Sequence, residues 1–400
     1  MRPSGQVSRC GGPGDRGATG ATGGAGRSVD TAGAIYRGGE RHGGDQAARD
    51  RHRCGAGGMI GPTVTELPNG LRVVTDRVDH VETVALGMWV GAGTRREEPE
   101  VNGVAHMLEH MAFKGTRTRS ARAIAEEVEN VGGQLNAHTA REHTAYYAKV
   151  LKDDVPLAVE ILGDILQDSI FDPDEIGREK AVVLQEIGQA HDTPDDVIFD
   201  FFQEVAFPGQ GLGRPVLGTP EIVGAMERSV LVGYMDRHYR ARDMVFAASG
   251  NVDHATVVRL AEEKFQGLPS DIEAESVPAR YSGGDFRQLR ELEQVHMLLG
   301  FRGVSSTDPD FYAATVLASI LGGGMSSRLF QEIREERGLA YAIYAFSSSY
   351  SDDGLFGIYA GTGEGEIREL MPVLCDQVRQ ITMDVTADEV ARARTQLKAS

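Results

Sequence analysis

His106-Met-Leu-Glu109-His110 places two imidazoles and one carboxylate at positions i, i+3 and i+4, which share one face if the segment is helical. Two imidazoles four apart are a bidentate platform for zinc, and a carboxylate between them is placed to deprotonate a water bound there. Zinc also needs a third protein ligand and an open position for that water. Two carboxylates further along the chain, Glu179 and Glu186, are seven residues apart and fall on one face of any helix that carries both. Without such a third ligand the same motif would be a helix with two partly buried, satisfied histidines.

The elements that must position these groups can be read from turn and cap signals. Apolar periodicity predicts helices at about 103–113 and 120–131, and strands at about 134–139 and 143–151. A helix at about 155–167 follows, then a long one opened by Asp172-Pro173, with Glu175 completing a capping box. Thr193-Pro194 with Asp196, and Thr219-Pro220, predict two more helix starts. Leu67-Pro-Asn-Gly-Leu71 predicts a turn between strands, Val84–Val90 a buried strand, and residues 243–250 another. Residues 268–284, interrupted by Pro269, Pro278, Gly283 and Gly284, are expected to link two parts.

Those parts repeat. The strand Val84–Val90 is echoed by Val295–Phe301, Thr144–Leu151 by Leu355–Thr362, and the helix 155–167 by 366–378, each at an offset of 211 residues; Asp174-Glu175-Ile176 is echoed by Asp388-Glu389-Val390 at 214. Two copies of one α+β unit are expected. The second stops at Ser400, roughly 70–90 residues short of the first copy's length.

The motif resembles the inverted zinc motif of the pitrilysin/insulinase-like (M16) metallopeptidases, the inverzincins, and is most similar to the mitochondrial processing peptidase β subunits and their bacterial homologues. His106-Met-Leu-Glu-His-Met-Ala-Phe-Lys-Gly-Thr116 carries most of the likeness, with support from Gly132–Ala137, Glu142–Lys149 and Leu321–Phe330. The resemblance implies one zinc per chain on His106, His110 and Glu186, with Glu109 as general base and Glu179 orienting the site from outside. It implies that Asn136 and Ala137 hold peptide as an added β-strand. It implies that Arg334 and Tyr341 of the second unit reach substrate and the developing oxyanion, and that Asp196 and Asp200 read an arginine near the cleavage point. The implied fold is α+β: two homologous antiparallel-sheet-plus-helices domains, 59–267 and 285–400, closing as a clamshell, the second truncated. The implied activity is that of a zinc endopeptidase acting on extended or unfolded peptides, alone or paired with itself or a homologous subunit. The alternative is a non-catalytic partner or scaffold.

The chain as a whole is compatible with this. Of 400 residues 41% are hydrophobic and 25% charged, an ordinary globular mix. The formal charge of −18 argues against nucleic acid and anionic membranes as partners, and no apolar run is long enough to span a bilayer. Residues 1–58 hold 17 glycines and nine arginines and carry +4, leaving about −22 on the rest. That tail is expected to be disordered, or to lie upstream of a true start at Met59. Three scattered cysteines, Cys10, Cys54 and Cys375, exclude a disulfide framework. A bacterial cytoplasm, or alternatively a mitochondrial matrix, is the expected compartment. His138 and His143 are expected as partly exposed strand histidines, Gly322-Gly-Gly324 as a helix end or loop, and Cys375 as core.

Overall fold

A computed structural model describes residues 61–271 and 277–400; the tail 1–58, with Cys10 and Cys54, lies outside the described residues. The predicted turn at Leu67–Leu71 joins β1 (Thr63–Glu66) to β2 (Arg72–Arg77). Gly70 supplies its φ of +90°, and the Asn69 side chain accepts a hydrogen bond from the Leu71 amide. In β3 (Thr83–Val90) and β5 (Thr144–Leu151) alternate residues are buried: Val84, Leu86, Met88 and Val90 in one, Thr144, Tyr146, Ala148 and Val150 in the other. Such alternation gives the sheet one core face and one wetter face. With β4 (Gln134–Thr139) and β6 (Met244–Gly250) the order is β1-β2-β6-β3-β5-β4. Every pair is antiparallel except β2 and β6, which run parallel. No neighbour pairs with the outer edge of β4 among the described residues.

Helices α1 (Val104–Met111) and α3 (Val155–Gln167) cover the core face. The long helix α4 (Pro173–His191) opens as expected on Asp172, whose carboxylate accepts from the amides of Asp174 and Glu175. The reciprocal half of the box is not formed there, because the Glu175 carboxylate pairs with Arg178 instead. Between α1 and β4 runs α2 (Ala121–Asn130), and α5 (Pro194–Ala206), α6 (Pro220–Ala225), α7 (Arg228–His238) and α8 (His254–Phe265) complete this half.

The second sheet repeats the end of the first. Strands β7 (Val295–Arg302), β8 (Ala342–Ser349) and β9 (Gly354–Thr362) are ordered β7-β9-β8, the counterpart of β3-β5-β4, and all are antiparallel. Helix α9 (Phe311–Gly322) ends in the glycine run, α10 (Ile367–Asp384) follows β9 as α3 follows β5, and α11 (Ala387–Ala399) stands where α4 does. There Thr386 and Glu389 form both halves of a capping box. Residues Phe330–Glu336 wind as a π-helix, a geometry that no periodicity in the sequence announced. The halves share an interface. Phe199 of α5 packs on Phe346 and Tyr359 of the second sheet at ring separations of 5.6 and 5.9 Å. Its neighbour Phe202 lies so close to β7 that a Cβ on Gly300 would stand 2.1 Å from the ring.

Candidate metal centre

Helix α1 is short and starts at Gly103, whose φ of +94° admits no ordinary side chain. Its first amides are satisfied from elsewhere: Glu97, almost fully buried, accepts from the Gly103 amide (2.8 Å), the Ala105 amide (2.9 Å) and the Asn102 side chain (2.7 Å). An anion on the N-terminal amides is favourable to the helix dipole, yet burial still pushes the Glu97 carboxyl above its ordinary range. Nothing in the local spacing marks this residue. In Arg95-Arg96-Glu97-Glu98 it looks like part of a solvated charge run.

On the helix so anchored, the rings of His106 and His110 lie 4.7 Å apart. Helix α4 crosses beside them and brings Glu186 Oε2 to 3.6 Å from His106 Nε2 and 3.4 Å from His110 Nε2. These three groups are the one His/Cys/Asp/Glu set among the described residues whose ligand atoms all lie within 4.8 Å of each other. The donors suit zinc. Burial, with the neighbouring His110 imidazole adding to it, lowers the His106 pKa to about 4 and keeps the ring neutral. His110 Nδ1 is 2.9 Å from Glu179 Oε2, so a hydrogen there leaves the Nε2 lone pair facing Glu186. Glu179, one helical face up α4 and buried, is held in turn by Lys114 Nζ at 2.6 Å from its other oxygen. A carboxylate behind a ligand imidazole fixes its tautomer and orientation.

Glu109 lies within electrostatic reach of the same group. Burial pushes its carboxyl up, opposed by a hydrogen bond from Thr139 and by the neighbouring His110 and His138 imidazoles. Beside it runs the unpaired edge of β4, with Asn136 exposed and Ala137 buried. Asp196 and Asp200 lie on α5; Asp200 makes an ion pair with Arg141 (2.8 Å), and burial outweighs that pair in raising its carboxyl. Arg334 sits in the π-helical stretch with its guanidinium 4.7 Å from the Phe330 ring centre and 5.3 Å from that of Tyr341. Tyr341 is exposed.

The halves of the chain match two family patterns, that of insulinase (peptidase family M16) over residues 72–220 and that of the peptidase M16 inactive domain over residues 225–397. The chain belongs to peptidase family M16. It is 41% identical over 338 residues to an uncharacterized zinc protease of Rickettsia felis, covering 84% of this chain and 82% of that protein. An uncharacterized zinc protease of Bacillus subtilis is 38% identical, at 83% and 81% coverage. A probable mitochondrial-processing peptidase subunit beta of Arabidopsis thaliana is 40% identical over 352 residues, 84% of this chain and 66% of that one. In fold the chain is similar to the crystal structure of a protease from Helicobacter pylori (TM-score 0.77, 21% identity, 85% and 84% coverage). The site and the relatives together define a protein of peptidase type. No described helix is long and apolar enough to cross a membrane.

Proposed function

We propose that the chain is a zinc endopeptidase that hydrolyses extended or unfolded peptides. The observation that carries this reading is the convergence of His106 Nε2, His110 Nε2 and Glu186 Oε2 near the half-buried carboxylate of Glu109, which shares α1 with the two histidines. When bound by these three residues, zinc supplies Lewis acidity toward a carbonyl and a water. Glu109 takes the proton of that water and passes it to the leaving amine, a role that its raised pKa suits. Glu179 keeps His110 in the ligating tautomer. The free edge of β4 accepts peptide by main-chain pairing at Asn136 and Ala137, which gives affinity without demanding a sequence. Asp196 and Asp200 are read as the acids that recognise an arginine near the cleavage point, in keeping with the charge of −18. Arg334 and Tyr341 reach substrate from the second half.

The test is Glu109→Gln. The variant should retain one zinc per chain by metal analysis and lose at least about 100-fold in peptide turnover, the lower end of what general acid–base catalysis contributes. Unchanged turnover would dismiss the reading of Glu109, and a folded, zinc-free wild type would leave a scaffold or partner subunit as the function. A bacterial cytoplasm remains the proposed compartment.

A further inference from the structure

The hairpin that carries the edge strand holds a second pair of imidazoles. His138 pairs across the ladder with Ala145, and Ala140 with His143 through its amide. Side chains of a strand alternate in direction, so His138 and His143 are diagonal neighbours on one face. That is the wetter face of the sheet, opposite the one covered by α1; Tyr147 shares it, 5.8 Å from His138 between ring centres. Both histidines are half-buried and open to solvent on one side.

Their geometry is that of a chelate. His138 Nε2 and His143 Nε2 face each other at 3.2 Å, with the rings near perpendicular at 87°. A tetrahedral zinc with Zn–N of about 2.0–2.1 Å sets two nitrogen ligands roughly 3.3 Å apart. The spacing is comparable to that of the first centre, where each imidazole Nε2 stands 3.4 or 3.6 Å from the Glu186 oxygen. It is also held in place. The loop between the two histidines is Arg141-Glu142; Arg141 is tied to Asp200 of α5, and Glu142 accepts from Arg95 (2.6 Å) and the Ser351 hydroxyl (2.7 Å). Anchoring on both sides lowers the cost of presenting two imidazoles to one ion.

We propose that His138 and His143 form a second transition-metal site, completed by water, that takes zinc, copper or nickel more weakly than the first centre and slows peptide turnover when filled. Imidazole donors suit those metals. With two protein ligands rather than three, the site fills only after the first. An ion held there lies beside the edge where peptide would add, within electrostatic reach of Glu109, for which His138 is an electrostatic neighbour. The inhibitory part rests on the peptidase reading; the binding part does not.

Two titrations separate them. Protein carrying one zinc, titrated with zinc chloride and separately with nickel chloride, should bind a second, weaker equivalent by calorimetry. His143→Gln and His138→Gln should each lose that second equivalent and keep the first. Excess zinc should slow cleavage of a peptide library by the wild type, with its midpoint shifted at least tenfold upward in His143→Gln, whose activity at one zinc per chain is unchanged. No second equivalent, or one that persists in both variants, leaves a hydrogen-bonded imidazole pair and overturns the proposal. Inhibition with the same midpoint in His143→Gln overturns its inhibitory half. Should the first centre itself be misread, the first equivalent is missing while the His143-dependent one still appears.

Discussion

His106, Glu109 and His110 share a face because 3.6 residues make a turn, but what each can do depends on the side chains that surround it. His110 relies on Glu179, which meets it at 2.9 Å only because α4 crosses α1. Replacing Glu179 with Gln should therefore weaken zinc binding by about 10–100-fold, the usual cost of losing the carboxylate behind a ligand histidine. Competition with a chromogenic chelator measures this, and unaltered affinity would show that the Glu179–His110 contact does not tune the metal. Lys114, now paired to Glu179, would lose that charge partner in the same variant.

At the scale of elements, α1 has two turns and no cap of its own, so it depends on Glu97. Substituting Ala for Glu97 should cost about 1–2 kcal/mol, as loss of a helix cap does. The expected readout is a lower urea midpoint accompanied by easier loss of zinc. A fall in stability with zinc affinity intact would mean that Glu97 supports the fold without positioning the ligands. The β4–β5 hairpin depends similarly on Arg95, whose buried guanidinium joins Glu142 (2.6 Å) to Asp352 (2.6 Å) and Ser351 of the second half. Charged, buried and bidentate, this contact is unlike an exposed ion pair. Arg95→Ala should raise KM for peptides by several fold with little change in kcat, since it frees the edge strand rather than the reacting groups, and Arg95→Lys should rescue it partly. Steady-state kinetics decides; a change in kcat alone would contradict the argument.

For the whole molecule, two buried histidines set the acid limit of the zinc-free protein. Burial is the main cause that lowers both His106 and His238 to about 4, aided by His110 at the first and by the Arg96 and Arg237 charges at the second. Unfolded, each would titrate near 6.5. A depressed folded pKa contributes stability that is complete above the unfolded value and is lost as pH falls toward the folded one. Thermal unfolding of the metal-stripped chain should therefore show Tm declining from about pH 6.5 to about pH 4, more gently in His238→Gln. A Tm flat across that window would show that these rings are charged in the fold. At the same scale the two halves are joined by the Phe199 and Phe202 rings of α5 on the second sheet, so the acidic helix and the interface are one element.

What the sequence determined by itself were the local matters: the ligating pentad, the helix starts at Asp172 and Thr219, the alternation in β3 and β5, and the repeat whose strands recur as β7-β9-β8. Each follows from period, cap chemistry or turn residues acting over a few positions. Glu175 marks the limit of that logic, since an Arg178 one turn away drew its carboxylate out of the expected box. The rest was decided by tertiary structure. Glu186 comes within 3.4 Å of His110 across 76 residues, Glu97 leaves a charge run to cap a helix, and the parallel β2–β6 pair joins strands some 170 residues apart. The Glu97 cap and the β2–β6 pair could not be read in advance, and Glu186 only through likeness to a family, because which face of one element meets another is set by how the whole core packs and not by any window of sequence.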